Sequence, residues 1–167
     1  VESDQLTGLL IDNAVDRVAR FIPAPTETEY ETALLQAQTN CLAVGLTSIT
    51  DCGLSHTHIE KLKGLQSNEK LQLRLNVMLS DDPDNYRYAE KNGKLITDRL
   101  RVQSFKVYGD GALGSRGAAL LAPYSDAPHQ HGLLLTQPED MTPLFTSVIG
   151  AGFQLNYHAI GDKANHV

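Results

Sequence analysis

Residues 105–116 read FKVYGDGALGSR, and the interpretation of the whole chain depends on this stretch. An apolar segment runs into three glycines, Gly109, Gly111 and Gly114, which have the G-x-G-x-x-G spacing of a dinucleotide-binding turn. Such a turn belongs in the first βα unit of a Rossmann fold and opens a helix. Here two strand-like segments precede it and a proline-bearing loop follows. Glycines that let the backbone bend around a site are therefore favoured. A small α/β nucleotide-binding module using Gly109–Gly114 stays open as an alternative.

The composition is typical of a soluble globular domain. The chain has 167 residues, 41% of them hydrophobic and 20% charged, which is enough for one domain with a sizeable core. No apolar run approaches the roughly 18 residues of a membrane-spanning helix. The net charge of −6 comes without any basic stripe that could neutralise phosphates. We therefore expect neither a nucleic-acid nor a membrane partner.

The cysteines and the two ends of the chain bear on its location. Cys41 and Cys52 alone can form neither a disulfide framework nor a metal knuckle, so we expect reduced thiols in a cytoplasmic protein. The sequence begins at Val1 without a methionine and ends in GDKANHV (161–167). We expect residues 1–167 to be a single fragment truncated at both ends. An N-terminal targeting signal, if the protein has one, could then be missing from this sequence.

Hydrophobic periodicity and turn residues predict an alternation of helices and strands. Helices are predicted at 3–21, 26–45, 58–66, 82–93 and 138–151, with another starting at 162, and strands at 46–53, 71–80, 101–109 and 153–161. This alternation implies parallel βα units. About four such units make half of a (β/α)8 TIM barrel, and a small doubly wound sheet has the same pattern.

Helix ends also have sequence signals. Thr26 with Glu29, or Thr28 with Glu31, could form a capping box at the start of the second helix. Gly45 is placed to end that helix in the left-handed conformation.

Residues 110–136 form a long segment without clear periodicity. Loops beyond about 12–15 residues are usually functional or disordered, and this one is too apolar for disorder. The segment is therefore predicted to be a long loop of the active-site type.

Alternation along the strands separates an apolar face from a polar one. In the third predicted strand one face carries Gln103, Phe105 and Val107, and the other carries Ser104, Lys106 and Tyr108. In the fourth strand Gln154, Asn156 and His158 share the polar face. Lys106 and His158 thus lie near the carboxyl ends of two strands. In a parallel barrel that inner position is where catalytic groups sit.

The chemistry of these two side chains fits such a position. Burying an ammonium is costly, so an interior Lys106 should have a lowered pKa and a usable amine. It could pair with Asp110, form a Schiff base, or react with carbon dioxide to give an anionic, metal-bridging carbamate. His158 is suited to metal ligation through neutral imidazole.

The other histidines have plainer interpretations. His56 and His58 form an H-x-H pair, but Thr57 and Glu60 could make a capping box, which favours histidines beside a helix start over a zinc site. For His129 and His131, in a polar loop, solvent exposure and contact with a substrate both stay open.

Two long motifs, FKVYGDGALGSRGAALLAPYSD (105–126) and FQLNYHAIGDKAN (153–165), together resemble the metal-dependent amidohydrolase superfamily. The closest resemblance is to its branch of N-substituted formamide deformylases and YtcJ-like hydrolases. GLTSITDCG (45–53) and LRLNVML (73–79) resemble that branch too, so the likeness covers nearly the whole chain. It implies a (β/α)8 barrel with one or two divalent metals, usually zinc. It also implies hydrolysis of amide-like, non-peptide C–N bonds in small molecules by metal-activated water.

The resemblance assigns roles to individual residues. Lys106 matches the strand-four lysine that is carboxylated in binuclear members, and His158 matches the strand-five histidine ligand. The residues that match the loop after this lysine, and would line the substrate pocket, are Asp110, Gly111, Ser115 and Arg116. Asn156 and Asp162 could orient the ligands through hydrogen bonds.

The sequence departs from the family pattern in its metal ligands. The H-x-H of strand one is absent, and SHTH (55–58) follows the wrong strand to replace it. The strand-six histidine and the strand-eight aspartate, the general base, would lie beyond Val167. We therefore expect strands two to five of a larger enzyme, inactive alone because a catalytic zinc site needs about three protein ligands. Exposed strand edges predict self-association. A structural half-barrel without a ligand is the remaining alternative.

Overall fold

The computed structural model describes residues 8–10 and 14–167, which fall into two compact units. The sheet unit comprises residues 25–108 and 137–158. The loop unit comprises residues 109–136 and 159–167 together with the described residues before Pro25. Along the chain the elements are α1 (Asp16–Ala19), α2 (Glu27–Ala43), β1 (Ser48–Leu54), α3 (His56–Ser67), β2 (Arg74–Ser80), α4 (Pro83–Asn92), β3 (Leu95–Ile96), β4 (Leu100–Tyr108), α5 (Pro138–Gly150), β5 (Gln154–His158) and α6 (Asp162–His166).

The sheet confirms the predicted α/β class. Strands β1, β2, β4 and β5 are parallel and lie side by side in that order. The two-residue β3 pairs antiparallel with β4 and has no counterpart among the predicted strands. Four parallel strands alternating with helices form the partial TIM barrel that the sequence predicts.

The core lies between the sheet and helices α3, α4 and α5. Its buried members include Ile59, Leu62, Leu65, Val77, Leu79, Ala89, Leu100, Val102, Phe105, Val148 and Phe153. Phe105 of β4 is at its centre, because its ring stacks on Tyr86 at 4.7 Å and meets the edge of Phe153 at 5.3 Å. Apolar side chains therefore cover one face of the sheet, and the other face is left for polar groups.

Strict alternation does not extend along the whole of β4. Val102 lies opposite Val77, and the next pair in register is Ser104 with Met78, so Gln103 is an extra residue. An irregularity of this kind shifts the parity of the side chains. Leu100 and Val102 face the core before it, and Phe105 and Val107 are buried after it.

The helix ends agree with the predictions in one helix and differ in another. Thr26 and Glu29 form the capping box of α2, and Gly45 follows that helix with φ of +82°. The capping box predicted for Thr57 and Glu60 is wrong. The N-cap of α3 is Ser55, and it makes no side-chain capping bond.

The helix predicted at 3–21 is wrong over the residues that are described. Residues 8–10 are not helical, and α1 spans only Asp16–Ala19. Leu9 and Phe21, which were predicted to share an apolar face, are 72% and 74% exposed. Leu6 of the same predicted face lies outside the described residues. None of the described helices combines the length and apolarity that crossing a bilayer requires.

Candidate functional site

The adjacent strands β4 and β5 bring together the two predicted metal ligands. In the parallel register Lys106 lies opposite Asn156, and Tyr108 lies opposite His158. Paired residues of neighbouring strands point to the same side of a sheet. Lys106 and His158 therefore share the face turned away from Phe105 and the helices. We call Lys106, Tyr108, Asn156 and His158 the polar patch.

The side chain of Lys106 lies in a partly buried, aromatic environment. Its Nζ lies 4.0 Å from the centre of the Tyr108 ring, and the side chain is half-buried. Partial burial disfavours the ammonium and lowers the pKa of Lys106, while its electrostatic interaction with Cys52 has a smaller, opposite effect. A neutral amine is the form that acts as nucleophile or ligand.

Tyr108 links the two candidate ligands and was missed as a site residue. Its ring lies 5.4 Å from the ring of His158, centre to centre, and under the ammonium of Lys106. Its position two residues after Lys106 was the available signal. Asn156 is also anchored in the patch, because its Nδ2 donates to the carbonyl of Phe105 at 3.2 Å.

The donor set fits part of a metal site. Within residues 8–10 and 14–167 no three His, Cys, Asp or Glu side chains lie close enough together to hold a metal ion. The polar patch offers two donors, the nitrogen or carbamate of Lys106 and the imidazole of His158. Both types suit a divalent metal such as zinc, which takes about four ligands.

Asp110, expected in the substrate pocket, is buried inside the loop unit. It is 0% exposed, and both carboxylate oxygens accept hydrogen bonds from backbone amides. Oδ1 accepts from Ile160 N–H at 2.9 Å, and Oδ2 accepts from Ala119 N–H at 2.9 Å and Gly161 N–H at 2.7 Å.

The other residues expected at the substrate lie in the exposed part of the long loop or next to it. Arg116 has φ of +60°, and its Nη2 donates to Asp126 Oδ2 at 3.0 Å. This hydrogen-bonded ion pair raises the pKa of Arg116 and lowers that of Asp126. Ser115 Oγ donates to the carbonyl of Ala112 at 3.2 Å, and Gly111 N–H donates to that of Gly117, also at 3.2 Å.

Asp162 lies at the start of α6. Its Oδ1 accepts from the backbone N–H of Leu121 and that of Lys163, each at 2.9 Å. Asp162 is solvent-exposed, in contrast to Asp110.

His56, His58, His129 and His131 lie outside the polar patch. His56 and His58 lie in the first turn of α3, where His58 Nδ1 is 2.7 Å from Ser55 Oγ and the His56 ring stacks on Tyr88 at 5.3 Å. His129 and His131 are exposed.

The glycine triad does not open a helix. Between Tyr108 and Pro138 the chain forms turns and isolated bridges only. A dinucleotide site needs a helix N-terminus for the pyrophosphate directly after such glycines. The segment of the three glycines therefore lacks the main structural requirement of a dinucleotide-binding site.

Comparison with known proteins identifies a family model and relatives in sequence. The model of the amidohydrolase family matches residues 1–166. The chain is 29% identical to the protein LONG AFTER FAR-RED 3 of Arabidopsis thaliana, over 98% of this chain and 30% of that protein. It is 28% identical to YtcJ of Bacillus subtilis (strain 168), which is named as an amidohydrolase, over 95% of this chain and 30% of that protein.

Two solved structures are similar as well. Both are crystal structures of uncharacterized metal-dependent hydrolases, from Pyrococcus furiosus and Pyrococcus horikoshii OT3. The TM-scores are 0.76 and 0.77 at 27% and 26% identity, over 92% of this chain. The chain covers 33% and 32% of those structures, so it spans about a third of the length of its relatives.

Proposed function

Since the chain belongs to the amidohydrolase family, we propose that it supplies two metal ligands to a hydrolase active site. The substrates would be small molecules with amide-like, non-peptide C–N bonds. One observation carries the proposal: Lys106 and His158 lie on the same face near the ends of adjacent parallel strands. Catalytic groups of parallel barrels come from that position.

Lys106 would act as an oxygen ligand after carboxylation. Partial burial lowers the pKa of Lys106, which increases the fraction of neutral amine at a given pH. Addition of carbon dioxide to this amine forms an N–C bond and releases one proton to solvent, which leaves an anionic carbamate. The carbamate could bridge two metals, and the unmodified amine could serve one.

His158 would bind through a neutral imidazole nitrogen, with its ring held against Tyr108. A divalent metal, most suitably zinc for these donors, lowers the pKa of water and polarises a carbonyl oxygen. Asn156 keeps the backbone of β4 fixed next to Lys106. Asp162 would hold the segment after His158 through its bonds to Leu121 and Lys163.

The substrate pocket would be lined by Gly111, Ser115 and Arg116. The guanidinium of Arg116 is partly exposed and already paired with a carboxylate. A substrate with an anionic group would compete with Asp126 for it. This exchange makes Arg116 the candidate residue for selecting acidic substrates.

The chain alone would be inactive, because two protein ligands fall short of the three that a catalytic zinc needs. It would also self-associate. Among the described strands, β1 and β5 each have one neighbour in the sheet and so present an open edge. A monodisperse monomer in sedimentation velocity would contradict this part of the proposal.

A cytoplasmic location belongs to the same proposal. Cys41 and Cys52 are both free thiols, and Cys52 is exposed. Exposed free thiols are stable in a reducing compartment.

Metal titration tests the proposed ligands. Equilibrium dialysis against zinc would compare the wild-type chain with His158→Ala, Lys106→Met and the matched control His129→Ala, an exposed histidine in the loop. We expect the two site variants to bind zinc at least about tenfold more weakly than wild type, because each removes one ligand. The control should bind as wild type does. Equal zinc affinity in all four proteins would overturn the assignment.

A further inference from the structure

Among the described residues of the loop unit, Asp110 has the most deeply buried acidic side chain. It is 0% exposed, and three backbone amides donate to it at 2.7–2.9 Å. A buried carboxylate is tolerated only when hydrogen bonds replace its hydration. Three amide donors meet that need.

The three amides belong to two segments that are far apart in sequence. Ile160 and Gly161 follow β5, which ends at His158, and Ala119 lies in the long loop. Asp110 itself follows β4, which carries Lys106. One side chain therefore ties the segments that leave both strands of the polar patch.

The tied segments pack backbone against backbone. A Cβ added at Gly161 would lie 1.8 Å from the carbonyl oxygen of Ala119, and one at Gly132 would lie 1.9 Å from that of Ala118. The N–H of Lys163 also donates to the carbonyl of Ala119, at 3.1 Å. No room is left there for a ligand, so substrate has no access to Asp110 from this side.

We propose that Asp110 is a positioning residue. Its carboxylate clamps the segments after β4 and β5, and so fixes the strand ends that carry Lys106 and His158. The clamp stands on the hydrogen bonds alone. Its effect on metal binding rests on the proposed function.

Amide hydrogen exchange, followed by NMR, tests the clamp. Asp110→Asn replaces one acceptor oxygen by an NH₂ group, so at least one amide loses its acceptor. We expect exchange at Ala119, Ile160 and Gly161 to speed up on the order of tenfold, because bonds to a charged acceptor are among the stronger ones. The matched control Asp98→Asn makes the same chemical change at an exposed carboxylate just before β4, and should leave these three amides at wild-type rates. Wild-type rates in Asp110→Asn would overturn the clamp.

Ring contacts separate positioning from general stability. In Asp110→Asn the nuclear Overhauser effect between Tyr108 and His158, whose rings lie 5.4 Å apart, should weaken. Those of Phe105 with Tyr86 and Phe153 should persist, since the sheet core holds them. An unchanged Tyr108–His158 contact would overturn the positioning role, and so would equal weakening of all three.

A measurement on the wild-type chain tests the clamp even if Asp110→Asn fails to fold. Scalar couplings across hydrogen bonds, from the amide nitrogens of Ala119 and Gly161 to the Asp110 carboxylate carbon, should be detectable in the unaltered chain. Their absence, with fast exchange at both amides, would overturn the clamp.

Cobalt titration, read from the d–d absorption band, connects the clamp to the metal. Asp110→Asn should weaken cobalt binding about tenfold, and the control Asp98→Asn should bind cobalt as wild type does. Equal cobalt affinity in wild type and His158→Ala would reject the proposed function. The exchange rates and ring contacts would still decide the clamp.

Discussion

The sheet unit and the loop unit bury their backbone in different ways. In the sheet unit the ladder between parallel strands satisfies the polar backbone, and large apolar side chains such as Phe105, 1% exposed, fill the space above it. In the loop unit, residues 109–136 have no ladder beyond isolated bridges. A single carboxylate there accepts from three amides, and glycines allow backbones to touch.

The difference predicts different sensitivities to substitution. An apolar core loses stability in proportion to the volume removed. A polar clamp between close backbones fails when atoms are added or one acceptor is lost. Four substitutions test this contrast, in order of decreasing effect.

Phe105→Ala should be the most damaging change. It removes the ring at the centre of the core, and large-to-small changes of this type cost about 3–5 kcal/mol. The free energy of unfolding from urea titration measures it. Leu121→Ala, at a leucine that is 61% exposed, is the control and should stay within about 0.5 kcal/mol of wild type. A small loss at Phe105 would mean that the sheet core is not the main source of stability.

Gly161→Ala tests the close approach in the loop unit. The added methyl would meet the carbonyl of Ala119 at 1.8 Å, and overpacking costs about 1–3 kcal/mol. Gly114→Ala is the matched control, because nothing lies within 4 Å of its added Cβ. Thermal unfolding of both variants is the measurement. If the two glycines tolerate alanine equally well, the backbone contact does not hold the loop unit together.

Thr26→Ala tests the end of α2. It removes the hydroxyl that accepts from Glu29 N–H at 3.3 Å in the capping box, and should cost about 1 kcal/mol. Thr28→Ala distinguishes between the two capping boxes that the sequence allowed. Thr28 lies inside the helix, so its substitution should lower the free energy of unfolding by less than Thr26→Ala does. Urea titration would show the order, and a larger loss at Thr28 would contradict the observed cap.

Lys106→Met should have the smallest effect, visible in the pH dependence of stability. Because burial lowers the pKa of Lys106 in the folded chain, the unfolded chain keeps the proton to higher pH. The stability contributed by this group therefore rises with pH, between the lowered pKa and the ordinary value of 10.5. Urea midpoints at several pH values should show this rise in wild type and in the exposed control Lys163→Met. The rise should be weaker in Lys106→Met, and an identical slope would show that Lys106 titrates normally.

Much of the fold could be predicted because its signals are local. The box at Thr26 and the left-handed Gly45 involve contacts within a few residues, and both are present. The same logic failed at Thr57, where Ser55 became the N-cap. It also failed at 3–21, where apolar periodicity predicted a long helix but Leu9 and Phe21 are exposed.

The candidate site could be predicted in part. Strand alternation was enough to group Lys106 with His158, because both lie beyond the irregularity at Gln103. The role of Asp110 could not be predicted from the sequence, because two of its hydrogen-bond donors, Ile160 and Gly161, are 50 and 51 residues away. Tyr108 was overlooked for a related reason. The contact between its ring and that of His158 forms only because β5 lies beside β4 in the folded chain.

The sequence by itself determined the alternation of strands and helices, the presence of a capping box at the start of α2, the apolar face of β5 and the family to which the chain belongs. These depend on side-chain period and on motifs that act over a few residues. Tertiary structure alone decided the register shift at Gln103, the donors around Asp110 and the backbone contact at Gly161. Each of these features is a contact between segments that are distant in sequence. Whether such a contact forms depends on the packing and hydrogen bonding of the whole folded chain.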